Sequence, residues 1–278
     1  MLIAGVDAGM RFAKICLVED RIIIASRCFE MDGNFRQRYN RALKDIIFSV
    51  RESGASSFKI KKVIATGYGA SMVPHVFRRF DESSCLAAVS WNTPVRARTV
   101  IDAGGLFIKI HNLNDEGFVE REAVNDKCAA GSGRLLEIVS DALKIPLDTI
   151  ASMDLSDADP YPITNSCAVF AESELISRVG NGIPAKDILA GVIRSLASKT
   201  ASLLENSRGK DPVAITGGLS CVAAYVDMLI KISGREIAIL SPGPRLAPAY
   251  GAVLSWMGVK KGISCGIKLR PPVPGRVR

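Results

Sequence analysis

An eight-residue pattern occurs twice in this chain, and it constrains the fold more than any other feature. Residues 7–14 read Asp-Ala-Gly-Met-Arg-Phe-Ala-Lys, and residues 102–109 read Asp-Ala-Gly-Gly-Leu-Phe-Ile-Lys. Each copy follows an apolar run and leads into another, so each predicts a β-hairpin with an acid just before a glycine turn. Repetition of such a unit indicates an internal duplication of the fold.

The chemistry of the paired hairpins favours phosphate binding. Glycine turns let backbone N–H groups approach phosphate oxygens, an aspartate at a strand end can hold Mg²⁺, and a lysine can neutralise phosphate charge. One Asp-x-Gly turn alone is an ordinary hairpin feature, but two hairpins facing each other would hold a nucleotide from both sides. The candidate phosphate-binding residues of the hairpins are Gly9, Arg11, Lys14, Gly104, Gly105 and Lys109, and the candidate catalytic residues are Asp7 and Asp102. Gly217 and Gly218, which follow a predicted strand, are added to the phosphate-binding candidates by the family resemblance given below.

Two cysteines stand at the starts of predicted helices. Cys128 lies in Asn-Asp-Lys-Cys-Ala-Ala-Gly-Ser-Gly, and Cys167 lies in Asn-Ser-Cys-Ala-Val-Phe-Ala-Glu-Ser-Glu. A helix N-terminus favours the thiolate, which is the form that binds an iron–sulfur cluster. Such clusters generally take four thiolates, so two chains sharing one cluster would complete the set. The alternative is that both are small buried apolar residues, because no Cys-x-x-Cys pair is present.

The remaining pattern predicts an α/β protein. Strands are expected at 62–65 and 213–216, and helices at 36–52, 132–143 (ended by Pro146), 168–179, 184–207 and 223–232. Strands and helices alternate along the chain, which is typical of α/β architectures. Neither a Walker A sequence nor a Gly-x-Gly-x-x-Gly sequence is present, and their absence disfavours P-loop and dinucleotide-binding folds.

Composition and charge indicate a cytoplasmic protein that binds neither nucleic acid nor membrane. The chain has 278 residues with 48% apolar residues, no run long enough to span a bilayer, and no basic signal-peptide start. Its seven cysteines are therefore expected to be reduced. Six of the eight net positive charges lie in residues 259–278, which contain no acid, so the rest carries +2. This tail is either a solvated terminus or an arm that contacts an acidic partner.

The chain resembles the ATP-dependent activators of 2-hydroxyacyl-CoA dehydratases and the ATPase subunits of benzoyl-CoA reductases. The resemblance rests on both hairpins, on both cysteine segments, and on Ala65-Thr66-Gly67-Tyr68-Gly69, Ile215-Thr216-Gly217-Gly218 and Gly251-Ala252. It implies the actin-like, ribonuclease H-like two-lobed ATPase fold with duplicated βββαβα units. The implied lobes are 1–96, with a helix at about 249–258 packing back onto it, and 97–248, which carries the cysteines; 259–278 is the basic tail.

The resemblance also implies a function. It predicts a homodimer, or a heterodimer with a related chain, that shares one [4Fe-4S] cluster bound by Cys128 and Cys167 of each subunit. ATP with Mg²⁺ would drive one low-potential electron into a partner acyl-CoA dehydratase or reductase-type enzyme. A reduced ferredoxin or flavodoxin would then recharge the cluster. The other five cysteines are interpreted as ordinary thiols.

The chain departs from the family pattern around the nucleotide. Polar residues of the family are replaced in both hairpins and near the C-terminus by Met10, Arg11, Phe12, Leu106, Phe107 and Arg245. Two alternatives to the activator therefore stay open. One is a non-hydrolysing, cluster-carrying subunit of a larger redox complex. The other is a small-substrate kinase of the same fold, which would leave the cysteine segments unexplained.

Overall fold

The structure is a computed structural model that describes residues 1–31, 33–52, 59–125, 132–163, 174 and 177–258. The chain divides into two compact units. The first contains the described residues of 1–96, 115–119 and 240–258, and the second contains those of 97–114 and 120–239. No helix among these residues is both long and apolar enough to cross a membrane.

The first unit is built on a five-stranded sheet in the order β3-β2-β1-β4-β5. Its strands are β1 (Ile3–Ala8), β2 (Phe12–Glu19), β3 (Ile22–Glu30), β4 (Lys62–Thr66) and β5 (Arg78–Arg79). Strands β1, β2 and β3 pair antiparallel, whereas β4 lies parallel to β1 and β5 parallel to β4. Strand β1 is buried along its whole length, as expected for the centre of a sheet covered on both faces.

The described residues of the first unit include three α-helices: α1 (Phe35–Glu52), α2 (Glu82–Trp91) and a C-terminal helix at Ala247–Trp256. Helix α1 buries Phe35, Tyr39, Ala42, Ile46 and Val50, whose spacing places them on one face. The C-terminal helix packs against α2, β1 and β4. This packing requires glycine at both contact points, because a Cβ at Gly5 would overlap the Ala249 carbonyl and one at Gly251 would overlap the Cys85 carbonyl.

The second unit repeats the sheet of the first. Its strands are β6 (Thr99–Ala103), β7 (Ile108–Leu113), β8 (Val119–Val124), β9 (Val213–Thr216) and β10 (Ile237–Ile239), in the order β8-β7-β6-β9-β10. Strand β7 is antiparallel to β6, β9 is parallel to β6, and β10 is parallel to β9. The predicted hairpins and the predicted duplication are therefore confirmed.

Helices cover the second sheet and pack against it to form the hydrophobic core of the second unit. They are α3 (Gly133–Leu143), α4 (Leu147–Ser152), α5 (Ala185–Asn206) and α6 (Ala223–Ser233), and the C-terminal helix of the first unit is α7. The predicted helix at 132–143 is confirmed with its end at Leu143, but Pro146 is not the residue that closes it. Lys144 closes α3 in a left-handed conformation, and Pro146 instead precedes the first residue of α4. Proline is well suited to that position because the first helical N–H groups need no partner within the helix.

The other predicted segments are either confirmed or lie mostly outside the described residues. The helices at 36–52, 184–207 and 223–232 and the strands at 62–65 and 213–216 are confirmed within a few residues at each end. Most of the predicted helix at 168–179 lies outside the described residues, although Glu174 and residues 177–180 are helical. The basic tail at 259–278 also lies outside them.

One buried hydroxyl pair in the second core generates a stability prediction. Tyr225 on α6 lies 2.8 Å from the Thr200 hydroxyl on α5, and Thr200 in turn donates to the Leu196 carbonyl at 3.0 Å. Both residues are fully buried. Tyr225→Phe removes one bond and leaves Thr200 bonded to Leu196, so we expect a loss of about 1 kcal/mol in unfolding free energy.

Thr200→Val should cost more, about 2–3 kcal/mol, because it leaves the tyrosine hydroxyl buried without its partner. The double variant should lose less than the sum of the two single losses. Urea denaturation of the four proteins measures these differences. Additive losses would show that the two hydroxyls do not depend on each other.

Candidate functional site

The first hairpin places its aspartate and lysine side by side. Asp7 and Lys14 are directly opposed in the β1–β2 register, and the Lys14 ammonium lies 2.9 Å from Asp7 Oδ2. Asp7 is 2% exposed, so this is a nearly buried ion pair. Removing one partner of such a pair would leave the other charge buried and uncompensated, which is strongly destabilising. Lys14 is therefore oriented by Asp7 as well as being a candidate phosphate ligand.

The same register continues across four strands. Thr66 on β4 is opposite Asp7, and Cys28 on β3 is opposite Lys14, so these side chains form the row Thr66–Asp7–Lys14–Cys28. Gly67 follows with a positive φ of 91°, and a Cβ there would lie 2.5 Å from Asp7 Oδ1 and 2.6 Å from the Ala8 carbonyl oxygen. Only glycine lets the end of β4 approach the Asp7 carboxylate this closely.

The second hairpin has the same backbone arrangement. Asp102 is opposite Lys109 on β7 and opposite Thr216 on β9. Gly217 follows with φ 94° and ψ 173°, a region that is essentially restricted to glycine, and a Cβ there would overlap the Ala103 carbonyl oxygen. Both Asp-Ala-Gly turns are therefore packed against a Thr-Gly turn at the end of the neighbouring parallel strand.

The two aspartates differ in exposure. Asp7 is buried beside Lys14, whereas Asp102 is half-buried at the corresponding position. A carboxylate that keeps access to solvent can take a metal ion or a water molecule more readily than one held in a buried ion pair. Of the two predicted catalytic residues, Asp102 has the more suitable surroundings.

Five of the six residues that depart from the family pattern lie at the hairpin tips. Met10 is 41% exposed, while Arg11, Phe12, Leu106 and Phe107 are half-buried. Gly104 closes the second tip by donating its N–H to the Phe107 carbonyl at 2.9 Å. The backbone turns are therefore intact, and the change is in which side chains they present.

The segment that carries Cys128 begins and ends on the second hairpin. Before it, Ile108 donates its N–H to the Asn125 side-chain oxygen at 2.8 Å, and Asn125 donates its own N–H to the Ile108 carbonyl at 3.0 Å. After it, Gly133 and Arg134 at the start of α3 donate their N–H groups to the carbonyls of Gly104 and Gly105, at 3.1 and 2.7 Å. Residues 126–131, with Cys128, lie outside the described part of the chain, as does Cys167.

The last residue of the second cysteine segment, Glu174, has a buried carboxylate. Glu174 is 8% exposed, and its carboxylate lies 3.9 Å from Arg178 one helical turn later. The Arg178 guanidinium also lies 5.2 Å from the centre of the Tyr161 ring. Among the described residues, no three His, Cys, Asp or Glu side chains come together as a metal site.

The four cysteines that the structure describes differ in burial: Cys16 and Cys85 are buried, Cys221 is half-buried and Cys28 is exposed. Burial raises the pKa of the Cys16 thiol and of the Cys85 thiol to about 12, so both stay protonated at neutral pH. Cys28 is at the surface, and although desolvation raises its thiol pKa, the charges of Lys14 and Arg245 oppose that shift. Arg245 is far from β3 in the chain, and it approaches Cys28 only through the fold of the first unit.

The fold and the two matched hairpins define the class of the protein as an actin-like ATPase. The activator of the 2-hydroxyisocaproyl-CoA dehydratase from Clostridium difficile, solved with bound ADPNP, shares the fold with a TM-score of 0.82. It is 29% identical, and the match covers 95% of this chain and 100% of that one. The chain belongs to the BadF/BadG/BcrA/BcrD ATPase family, which matches it over residues 4–255.

Two curated relatives are similar over most of their length. The activator of lactoyl-CoA dehydratase from Anaerotignum propionicum is 34% identical over 255 residues, which is 91% of this chain and 96% of the relative. The 2-hydroxyisocaproyl-CoA dehydratase activator from Clostridioides difficile is 30% identical over 256 residues, covering 91% of this chain and 94% of the relative. The family resemblance inferred from the motifs is thereby confirmed.

Two adjacent glycines provide a matched test of the close approach in the second unit. We expect Gly217→Ala to lower the unfolding free energy by about 2 kcal/mol or more, because its backbone conformation excludes a Cβ. Gly218→Ala should change it by about 0.5 kcal/mol or less, since the position is exposed and a Cβ there meets no atom within 4 Å. Urea denaturation compares them, and equal losses would contradict the packing described above.

Proposed function

We propose that this chain is an ATP-driven activator that passes one electron at low potential to a partner acyl-CoA dehydratase. Membership of the ATPase family and the two dehydratase activators among its relatives support this role. The observation that carries the proposal is the attachment of the Cys128 segment to the second hairpin at both ends. That attachment links a candidate metal ligand to a candidate phosphate-binding turn.

The nucleotide is proposed to bind through both hairpins with Mg²⁺. Gly9, Gly104 and Gly105 keep the turns free of side chains, and Lys14 and Lys109 supply positive charge next to the aspartates. Arg11, half-buried at the first tip, adds a guanidinium where the family has hydroxyl groups. We assign Asp102 to the metal ion or the attacking water, and Asp7 to holding Lys14 in place.

The turns after the parallel strands complete the proposed site. Gly217 and Gly218 follow β9 directly, and the positive φ of Gly217 turns the backbone beside the second hairpin. Gly218 is exposed, and a Cβ there meets no neighbour, so a ligand can approach the backbone at this point. These features fit the phosphates or the sugar of a nucleotide.

A [4Fe-4S] cluster is proposed to be bound by Cys128 and Cys167 of each of two subunits. A bound cluster supplies reversible one-electron chemistry at a potential set by its surroundings. Each chain offers two of the four thiolates that such a cluster takes, so the proposal requires a homodimer or a dimer with a related chain. Reduced ferredoxin or flavodoxin is the proposed electron donor, and the cytoplasm is the proposed location.

The hydrogen bonds around the second hairpin can couple nucleotide binding to the position of Cys128. A phosphate at the Gly104–Gly105 turn would shift the two carbonyls that accept from the first N–H groups of α3. The start of α3 would then move with the turn, and so would the end of the Cys128 segment. On the other side, Asn125 ties the beginning of that segment to Ile108, the first residue of β7. Nucleotide binding and the position of Cys128 are therefore expected to be coupled.

The non-hydrolysing subunit remains the second candidate, and a specific observation favours it. The hairpin tips present Met10, Phe12, Leu106 and Phe107, none of which can hydrogen-bond to a phosphate through its side chain. A protein of this kind would keep the cluster and the dimer but would release no phosphate from ATP. Iron content and ATP hydrolysis are therefore measured separately.

The first test concerns the cluster. Anaerobic purification and reconstitution should yield about four irons and four sulfides per dimer. Cys128→Ala and Cys167→Ala should each abolish the brown absorbance and the iron, because each removes two of the four ligands from a symmetric dimer. Iron and sulfide analysis with the visible spectrum measures this outcome.

Cys28→Ala is the matched control for those two variants, since Cys28 is the exposed cysteine among those described and is assigned no ligand role. It should keep the full iron content. A colourless wild-type protein after reconstitution, or loss of the cluster on changing Cys28, would rule out the ligand assignment.

The second test concerns the nucleotide. We expect calorimetry to detect Mg-ADP and Mg-ATP binding that is weaker than in relatives, by about 1 kcal/mol for each hydrogen bond lost at the hairpin tips. Asp102→Asn should keep ADP affinity within a few-fold and lower the rate of phosphate release by about 10²-fold or more. Nucleotide binding without phosphate release by the wild type would favour the non-hydrolysing subunit. No binding at millimolar nucleotide would exclude the ATP-driven activator.

A further inference from the structure

A polar groove in the first unit shares Cys28 with the row described above, but it is lined by none of the residues assigned to nucleotide or cluster binding. It lies between β3 and the first half of α1 and has a volume of about 570 Å³. Its walls include Arg27 and Cys28 from the strand and Arg38, Arg41 and Asp45 from the helix. None of the hairpin glycines lines it, and neither does Asp7 or Lys14.

The charge of the groove is positive. The described lining residues contain three arginines and one aspartate, so their formal charge is +2. Arg38 and Arg41 are three residues apart on α1 and therefore project from the same face, while Arg27 approaches from the strand. The first turn of α1 contains no acid, so the partial positive charge of the helix N-terminus adds to this field.

The groove also has an apolar surface. Phe29 lines it beside Arg27 and Cys28, and its ring stacks on Phe35 with a centroid distance of 6.0 Å. Buried Ala42 lies on the helix side. Guanidinium groups and a partly exposed aromatic ring in the same lining suit a ligand that has both anionic groups and an organic body.

The size of the groove indicates what kind of ligand it takes. Pockets for small molecules have volumes of about 300–1,000 Å³, and this groove lies within that range. A stable protein partner would instead need about 800 Å² of surface on each side. The geometry therefore favours a small molecule over an acidic protein segment.

We propose that this groove binds a small organic polyanion with two or more phosphate or carboxylate groups, held by Arg27, Arg38 and Arg41, at a site separate from the hairpins. The inference does not depend on the proposed function, because the groove would be present whether the protein is an activator, a non-hydrolysing subunit or a kinase. The alkylation rate of Cys28 can be used to detect a ligand in the groove, since this exposed thiol is part of the lining.

The experiment uses two probes, adenosine 3′,5′-bisphosphate and citrate, which distinguish phosphate from carboxylate recognition. Binding is measured by calorimetry on the full chain in the presence of excess Mg-ADP, so that the hairpins are occupied by nucleotide. In parallel, the alkylation rate of Cys28 by iodoacetamide is followed by mass spectrometry of its peptide. At least one probe should bind and slow the alkylation of Cys28 several-fold.

Two double variants on α1 distinguish binding in the groove from general attraction to positive charge. Arg38→Gln/Arg41→Gln should weaken binding of the probe by about tenfold or more for each arginine, the factor that corresponds to about 1.4 kcal/mol. Arg36→Gln/Lys44→Gln removes the same charge from exposed positions of α1 that do not line the groove, and it should leave the affinity unchanged. Thermal unfolding of both double variants checks that they remain folded.

Three results would overturn the proposal. The first is that neither probe binds the protein or protects Cys28 at millimolar concentration. In that case the occupant would be an acidic protein, provided that the Arg38→Gln/Arg41→Gln variant fails to bind it. The second is an equal loss of affinity in both double variants, which would indicate diffuse attraction to the helix. The third is loss of probe binding in Arg11→Gln, with the groove arginines intact and the variant shown by thermal unfolding to be folded, which would place the probe at the hairpin.

Discussion

The structure of each unit depends on one backbone contact. A glycine with positive φ at the end of a parallel strand, Gly67 or Gly217, lies against the carbonyl of the alanine in the neighbouring Asp-Ala-Gly turn. Because no side chain fits between them, the end of the strand and the hairpin turn can meet at the same edge of the sheet. This contact brings Thr66 beside Asp7 and Thr216 beside Asp102, so it determines which groups can surround a ligand at each turn.

Much of this arrangement could be predicted from the sequence, because the repeated motif encodes a local structure. The two hairpins, the long helices and the duplicated sheet follow from apolar periodicity and from glycine positions. The short helix α4 was missed because six residues give little periodic signal, and Pro146 was interpreted only as an end. Proline both ends one helix and begins the next, and a single sequence does not distinguish these roles when the segments are adjacent.

The site was harder to predict than the fold. Residues of the hairpins were identified correctly as neighbours, since Asp7 and Lys14 belong to one local unit. Their mutual ion pair was not expected, because a lysine seven residues after an aspartate was assumed to point toward a ligand. Asn125 and Arg245 come near the hairpins only through the fold of each unit, so no pattern within the motif indicates them. Contacts between distant segments require coordinates, whereas turns and periodicity do not.

The duplication also places two unlike features at the same topological position. In each unit a connection leads from the third strand to the first helix. In the first unit it is only residues 31–34, and the groove lies beside it; in the second unit residues 125–132 form it, and they include Cys128. An ancestral repeat would have carried two equivalent connections at equivalent edges. The two connections now differ in length, with four residues in the first unit and eight in the second, so the duplicated fold lets this one position vary without any change in the order of the strands.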